Sequence, residues 1–161
     1  MNRRTFLIAT TATGALWGLN ASGARAAPYV AGDFEVQRSA QEWREMLSDA
    51  EYAVMREGDT ERAFSSPLND EKRAGIFHCK GCTQPLYSSE AKYMSGTGWP
   101  SFYESLPEAV ETMPDNSFFS RRTEVHCDRC GSHLGHIFDD GPPPTGKRHC
   151  LNGLSLTFTA A

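Results

Sequence analysis

The sequence has few basic residues and lacks a long, uninterrupted hydrophobic segment, and each of these absences excludes a class of function. Its 161 residues include 16 Lys and Arg against 20 Asp and Glu, which gives a net charge of −4 at pH 7. Because nucleic-acid binding usually requires a basic face, we expect no nucleic-acid partner. The apolar stretch at residues 6–19 is interrupted by Thr and Gly and is too short to span a bilayer comfortably. No later segment is apolar enough to cross a membrane.

The first 26 residues have the features of an export signal. Arg3-Arg4 precedes the apolar stretch, and Ala24-Arg25-Ala26 provides a small-x-small cleavage site. The paired arginines favour a twin-arginine signal, which exports folded proteins, and an ordinary secretory signal is the alternative. Removal of residues 1–26 would leave 13 basic and 20 acidic residues and a net charge of −7. We therefore expect a periplasmic protein that is free of the membrane after signal removal.

The remaining sequence predicts one small α+β domain that is mainly β. Residues 27–38 predict an irregular lead-in, and residues 39–159 the domain itself. The acidic stretch 57–73 predicts a loop in which Phe64 is the only large anchor. From Gly75 onward, short apolar or alternating runs between Gly, Pro, Asp and Asn predict an antiparallel β domain. The predicted strands are Gly75–His78, Pro85–Tyr87, Ser117–Phe119, Thr123–His126, Leu134–Phe138, Arg148–Leu151 and Leu154–Phe158.

Helix precedes these strands. Ser39 with Glu42, and Ser48 with Glu51, form two capping boxes, so one bent helix or two short helices are both possible. Gly58 ends the helical pattern. The residues predicted to share one helical face are Trp43, Met46, Leu47, Ala50 and Val54.

Four of the five cysteines form two Cys-x-x-Cys pairs, Cys79 with Cys82 and Cys127 with Cys130. Two such pairs are typical of a structural zinc site, because each tight turn presents two thiolates to one ion. Two disulfides or a redox-active pair are the alternatives, particularly in an exported protein. A chain that folds before export could leave the cytosol with its zinc already bound.

Cys150 lies outside these pairs and is the candidate nucleophile. Lys147, Arg148 and His149 precede it, and nearby positive charge favours the reactive thiolate. On a strand, Arg148, Cys150 and Asn152 would project to one face. An inert buried cysteine is the alternative, since a single Cys is more often structural.

Two histidines and a glycine-rich turn complete the candidate site. His133 and His136 are candidates for acid–base work, and a second metal site or a structural role are the alternatives. Trp99 and Phe102 lie in the turn Gly96–Phe102. They could be core aromatics at a tight bend or the wall of a substrate site.

The ordered set of these motifs resembles the type B methionine sulfoxide reductases, the peptide-methionine (R)-S-oxide reductases. The resemblance runs from about Ser39 to Phe158, through Gly96–Phe102, Cys127–His136, Asp140–Gly146 and Arg148–Leu156. It implies a small antiparallel β domain with N-terminal helices and one structural zinc ion. It also implies reduction of methionine-R-sulfoxide in oxidised proteins or peptides.

The resemblance assigns roles to the candidate residues. Cys150 would be the nucleophile, with Arg148 assisting the thiolate and His133, His136 and Asn152 as polar partners. Trp99, with Phe102 in the same turn, would bind substrate, and Trp99 would face its methyl group.

Two positions depart from the family pattern. Many relatives carry a cysteine at position 97 that resolves the oxidised nucleophile as an internal disulfide, and this chain has Thr97. We therefore expect an external, thioredoxin-like thiol to reduce Cys150 directly. The second departure is His149, where Tyr or Phe is usual.

We also expect a monomer. A non-catalytic zinc-bound β module and a thiol–disulfide oxidoreductase are the rival interpretations.

Overall fold

The structure, a computed structural model, describes residues 32–116 and 121–161. The predicted signal (1–26), the start of the lead-in and the predicted strand Ser117–Phe119 lie outside these ranges. Residues 32–38 are irregular, as expected. Within the described ranges, no helix is both long and apolar enough to cross a membrane.

Two short helices begin the domain, α1 (Ala40–Met46) and α2 (Asp49–Glu57). Both predicted capping boxes are present, with Ser39 and Ser48 as the N-caps. Gly58 ends α2 in the left-handed conformation, at φ 74°. The local sequence therefore determines where each helix begins and where the second one ends.

The predicted helical face is partly wrong. Trp43, Leu47 and Val54 are buried, but Met46 and Ala50 are exposed. The chain leaves the helical conformation at Leu47, so α2 starts a new face and the periodicity does not continue across the break. Phe64 is also not an anchor, since 74% of it is exposed.

In the described residues, nine strands form two antiparallel sheets. The smaller sheet has the order β2-β1-β9, and the larger has the order β3-β4-β8-β7-β6-β5. Three short 3₁₀ turns lie at Pro67–Asn69, Ser89–Ala91 and Gly153–Ser155. The strands are β1 (Gly75–Cys79), β2 (Pro85–Ser88), β3 (Lys92–Tyr93), β4 (Ser101–Phe102), β5 (Val110–Asp115), β6 (Arg122–Cys127), β7 (His133–Phe138), β8 (Arg148–Leu151) and β9 (Leu156–Ala160).

Three of these strands, β3, β4 and β5, were not predicted from the sequence. β5 contains Pro114, and of its side chains only that of Asp115 is buried, a pattern that argues against a strand. It lies at the edge of the larger sheet, where a proline is tolerated because no partner needs its missing N–H. β3 and β4 have two residues each, too few to show alternation.

The core lies between the sheets and is built on aromatic side chains. Phe102 is fully buried, with its ring centroid 5.0 Å from that of Phe77 and 4.6 Å from that of Tyr87. The prediction that Phe102 binds substrate is therefore wrong. Its side chain points to the opposite face of β4 from its neighbour Ser101, because side chains alternate along a strand.

His149 belongs to this core. It pairs with Phe102 across β4 and β8, and its Nδ1 lies 3.0 Å from the hydroxyl of the buried Tyr87. Burial, with a smaller contribution from Lys147, lowers the pKa of His149 to about 4. The imidazole is therefore neutral near pH 7 and serves as the hydrogen-bond partner of Tyr87.

We predict that His149 makes the fold sensitive to acid. Below pH 6.5 the unfolded chain protonates His149 but the folded chain does not until about pH 4, so stability decreases as pH falls through this window. The expected loss between pH 7.5 and pH 5 is about 2 kcal/mol, measured by urea unfolding. The double variant His149→Phe with Tyr87→Phe, which leaves no unpaired hydroxyl, should lose that much less. Equal losses in the two proteins would contradict the prediction.

Candidate functional site

A row of paired residues crosses the larger sheet and contains the candidate nucleophile. Tyr93 pairs with Ser101, and Ser101 with Cys150. Cys150 also pairs with His136, which pairs in turn with Glu124. Directly opposed residues of antiparallel strands have their side chains on the same face. The register therefore places Cys150 beside His136, as the proposed acid–base chemistry requires.

Each of the two histidines has a buried carboxylate partner. Nε2 of His136 lies 2.8 Å from Oδ2 of Asp115, and Nδ1 of His133 lies 2.8 Å from Oε1 of Glu124. Arg122 donates to the same Asp115 oxygen at 2.7 Å. The imidazole rings are 5.4 Å apart, edge to face. His133 is fully buried, so it supports His136 from behind rather than facing solvent.

Neither carboxylate was predicted from the sequence. Asp115 lies on the unpredicted strand β5, and Glu124 is a fully buried acid within β6. The available signal for Glu124 was its place inside the predicted strand Thr123–His126. A buried acid in such a strand requires a partner, and histidines lie nearby in the sequence. No comparable local signal marked Asp115.

His136 is predominantly neutral near pH 7. Burial lowers its pKa, and the hydrogen bond that it donates to Asp115 opposes that shift only in part. With Nε2–H donated to Asp115, Nδ1 is left with a lone pair that can accept a proton. His136 can therefore act as a base toward a neighbouring thiol and return the proton afterwards.

Cys150 does not rest as the thiolate that the neighbouring basic residues predict. Burial raises the pKa of Cys150, while the charge of Arg148 and a contact with Thr97 lower it by less. Arg148 is shared with Asp140, to which it donates at 2.8 and 3.0 Å. Lys147 is exposed and bonded to Asp139. The cationic stretch therefore brings only one partly neutralised charge to the sulfur, and Cys150 is a protonated thiol near pH 7.

A chain of hydroxyl groups reaches Cys150 from β4. Oγ of Ser101 lies 2.7 Å from Oγ of Ser95, which lies 2.9 Å from Oγ1 of Thr97. Oγ1 of Thr97 is 3.9 Å from Sγ of Cys150. Thr97 therefore contacts the nucleophile at the position where many relatives carry a second cysteine.

Asn152 holds backbone groups in place around the site. β8 ends at Leu151, so Asn152 does not continue the strand face as predicted. Its Oδ1 accepts from the N–H of Glu61 at 3.0 Å, and its Nδ2 donates to the carbonyl of Leu134 at 3.2 Å. The predicted amide donor to the sulfur is thus used to join the loop 59–66 to β7.

Glu61, which the sequence analysis also missed, connects that loop to Trp99. Its buried carboxylate accepts from the N–H groups of Gly153 at 2.5 Å and Leu154 at 3.1 Å. Its carbonyl accepts from Nε1 of Trp99 at 3.1 Å. The indole ring is therefore held at one edge, is half-buried and lines a cavity.

The four paired cysteines form one buried cluster. Their sulfur atoms lie within 4.8 Å of one another, with 3.7 Å between Cys79 and Cys130 and 3.6 Å between Cys82 and Cys127. Sulfur atoms at the corners of a tetrahedron with metal–sulfur bonds of about 2.3 Å are about 3.8 Å apart. The cluster therefore has the geometry of a four-thiolate metal site.

The crowding of these thiols also favours a cation. Hydrogen bonds from neighbouring thiols raise the pKa of Cys79 and of Cys127, and they lower that of Cys130. Four buried thiolates at these distances repel one another unless a metal ion neutralises them. The residues therefore fit a metal ion rather than two disulfides.

Known proteins share this sequence along most of its length. The SelR domain model matches residues 47–160. The peptide methionine sulfoxide reductase MsrB of Methanosarcina mazei is 49% identical over 126 residues, 78% of this chain and 90% of that protein. Those of Methanosarcina barkeri and Pseudomonas entomophila are each 50% identical. They cover 76% of this chain and 87% and 94% of their own lengths.

A half-buried cysteine beside a carboxylate-supported histidine, on a β domain with a four-thiol cluster, defines a thiol-dependent oxidoreductase. Within that class, the chain belongs to the SelR family, the peptide methionine sulfoxide reductases MsrB. The predicted family and fold class are confirmed, and the rival interpretation as a non-catalytic module is not favoured.

We predict that Thr97 contributes to the acidity of the candidate nucleophile, Cys150. Because its contact lowers the pKa of Cys150, Thr97→Val should raise that pKa, whereas Thr97→Ser should leave it nearly unchanged. The pH dependence of alkylation of Cys150 by iodoacetamide, followed by mass, measures this shift. A valine variant that titrates like the wild type would contradict the role.

Proposed function

We propose that the protein reduces methionine-R-sulfoxide in oxidised proteins or peptides to methionine, with Cys150 as the nucleophile. The observation that carries the proposal is the register that pairs Cys150 with His136, itself bonded to Asp115, in a chain of the SelR family. A thiol beside a histidine oriented by a carboxylate is the arrangement that activates cysteine nucleophiles.

The reaction needs one proton, and the site supplies it. A sulfoxide oxygen leaves sulfur only when protonated, and the resting thiol of Cys150 carries a hydrogen. His136 takes that proton as Sγ bonds to the sulfoxide sulfur and gives it to the oxygen. The hydroxyl then moves to Sγ as the new S–S bond breaks. Methionine leaves, and Cys150 becomes a sulfenic acid.

The remaining site residues position the groups that react. Trp99 provides an apolar wall for the substrate methyl group, which distinguishes it from the polar oxygen and selects one stereoisomer. Arg148 stabilises negative charge on the sulfur during attack. His133 and Asn152 hold His136 and the loop 59–66 in place.

An external thiol completes the cycle. The chain has five cysteines and four of them form the metal cluster, so Cys150 has no internal partner. A thioredoxin-like reductant attacks the sulfenic acid, releases water and forms a mixed disulfide. A second thiol of the reductant then frees Cys150. Because both Cys-x-x-Cys pairs belong to the metal cluster, the same count argues against a thiol–disulfide oxidoreductase that would use one of them as its reactive pair.

We propose Zn²⁺ as the ion of the four-cysteine cluster, in a structural role. Four thiolates complete a tetrahedral shell and leave no position for substrate, as in structural zinc sites. The paired arginines of residues 1–26 support export of the folded, metal-loaded monomer to the periplasm, where the site would be protected from oxidation by coordination.

We predict that the mature protein with dithiothreitol consumes the R and not the S diastereomer of methionine sulfoxide in a peptide. Cys150→Ser should abolish this consumption, because no other thiol is available to attack. When the wild type is mixed with the R-sulfoxide peptide but no reductant, Cys150 should gain one oxygen atom, detected by mass. Consumption of the S form, activity of Cys150→Ser, or an internal disulfide to Cys150 would each contradict the mechanism.

We predict one zinc ion per chain, measured by elemental analysis of the purified protein. Cys79→Ser should lose the ion and most of its stability, since structural zinc contributes on the order of 10 kcal/mol in small domains. Cys150→Ser is the matched control and should keep both. A metal-free wild type that is folded, with two disulfides detected by mass, would overturn the assignment.

A further inference from the structure

Two exposed apolar side chains lie beside the candidate substrate site. In the described part of the chain, the strongly exposed large apolar residues are Phe64 at 74%, Met94 at 65% and Met46 at 50%. Phe64 and Met94 line one cavity of about 140 Å³ together with Trp99. Met46 lies on α1 and is not among the residues that line it. Exposed apolar area is thus concentrated around Trp99.

Phe64 is held in this exposed position at an energetic cost. Its φ is +63°, a conformation that residues other than Gly, Asn and Asp rarely adopt. Its N–H donates to the carbonyl of Gly98 at 2.7 Å, and Asn69 donates to the same oxygen at 3.0 Å. The ring packs so closely on Gly98 that a Cβ there would lie 2.9 Å from the ring carbons. Strain that leaves an aromatic ring in solvent points to a ligand.

The position of Phe64 is coupled to that of Trp99. The loop 59–66 accepts the indole N–H at Glu61 and bonds to Gly98, the residue before Trp99, through Phe64. The loop 59–66 therefore positions both aromatic rings. It holds the ring of Trp99 by a hydrogen bond and carries the ring of Phe64 itself. Ser101, which pairs with Cys150 across β4 and β8, lines the same cavity as Trp99, Phe64 and Met94, so the cavity adjoins the strand pair that carries Cys150.

We propose that Phe64 and Met94 bind an apolar side chain adjacent to the oxidised methionine in the substrate polypeptide. This inference rests on the proposed function and names the substrates it favours. Methionine is itself a core residue, and its oxidation disrupts cores and exposes their apolar sequence. A flexible methionine beside a fixed aromatic ring suits apolar side chains of different shape.

The test compares two methionine-R-sulfoxide peptides that differ only in the flanking residues, Leu on both sides or Ser on both sides. The wild type should reduce the Leu peptide with a kcat/KM about tenfold higher, the equivalent of about 1.4 kcal/mol. Phe64→Asn should remove most of this preference, mainly through a higher KM for the Leu peptide, with a much smaller change in kcat/KM for the Ser peptide. Met94→Ser should reduce the preference in part.

The unfolding temperature and a matched control variant distinguish a loss of substrate binding from a loss of structure. Asn tolerates positive φ, so Phe64→Asn should unfold at the same or a higher temperature than the wild type. Met46→Ser removes exposed apolar area elsewhere and should keep the full preference. Equal rates on the two peptides, or a Phe64→Asn variant that is unstable and slow on both, would overturn the inference. A wild type that reduces neither peptide would instead overturn the proposed function.

Discussion

The convergence of four thiols at the ends of two strands is the constraint on which the fold depends. Cys79 ends β1 in the smaller sheet, and Cys127 ends β6 in the larger one. The second cysteine of each pair lies in the turn that follows, so a single ion would join the two sheets. The helices are fixed to the same place, because Arg56 donates to the carbonyl of Cys130 at 3.0 Å. The guanidinium of Arg56 also stacks on Trp43, 4.8 Å from its ring.

A second connection joins the sheets at the reactive end. β8 of the larger sheet passes through the turn Gly153–Ser155 directly into β9 of the smaller one. Glu61 binds the N–H groups of that turn, and Gly153 is required there because a Cβ would lie 1.9 Å from Oγ of Ser66. The nucleophile therefore lies on a strand anchored at both sheets, and its geometry does not depend on a mobile loop.

Local patterns predicted most of the fold and the chemistry, and non-local packing decided the rest. The capping boxes, the paired cysteines and the identity of Cys150 are readable because each depends on residues close in sequence. Phe102 was misassigned because alternation along β4 does not reveal which face is buried. The charge state of Cys150 was misjudged for a similar reason, since burial and the pairing of Arg148 with Asp140 both depend on tertiary structure. Asp115 and Glu61 approach the site only through strand register and loop docking.

The half-buried, protonated Cys150 also bears on how the enzyme survives the conditions it works in. Peroxide and hypochlorous acid attack thiolates, and they do so wherever a thiolate is accessible. A nucleophile that rests as a thiol behind Thr97 presents little of the reactive species to a diffusing oxidant. In the proposed mechanism it loses its proton mainly when a sulfoxide is bound beside His136. Burial makes Cys150 less reactive in the absence of substrate. It thus protects the protein from the oxidants that convert methionine to its substrate, methionine sulfoxide.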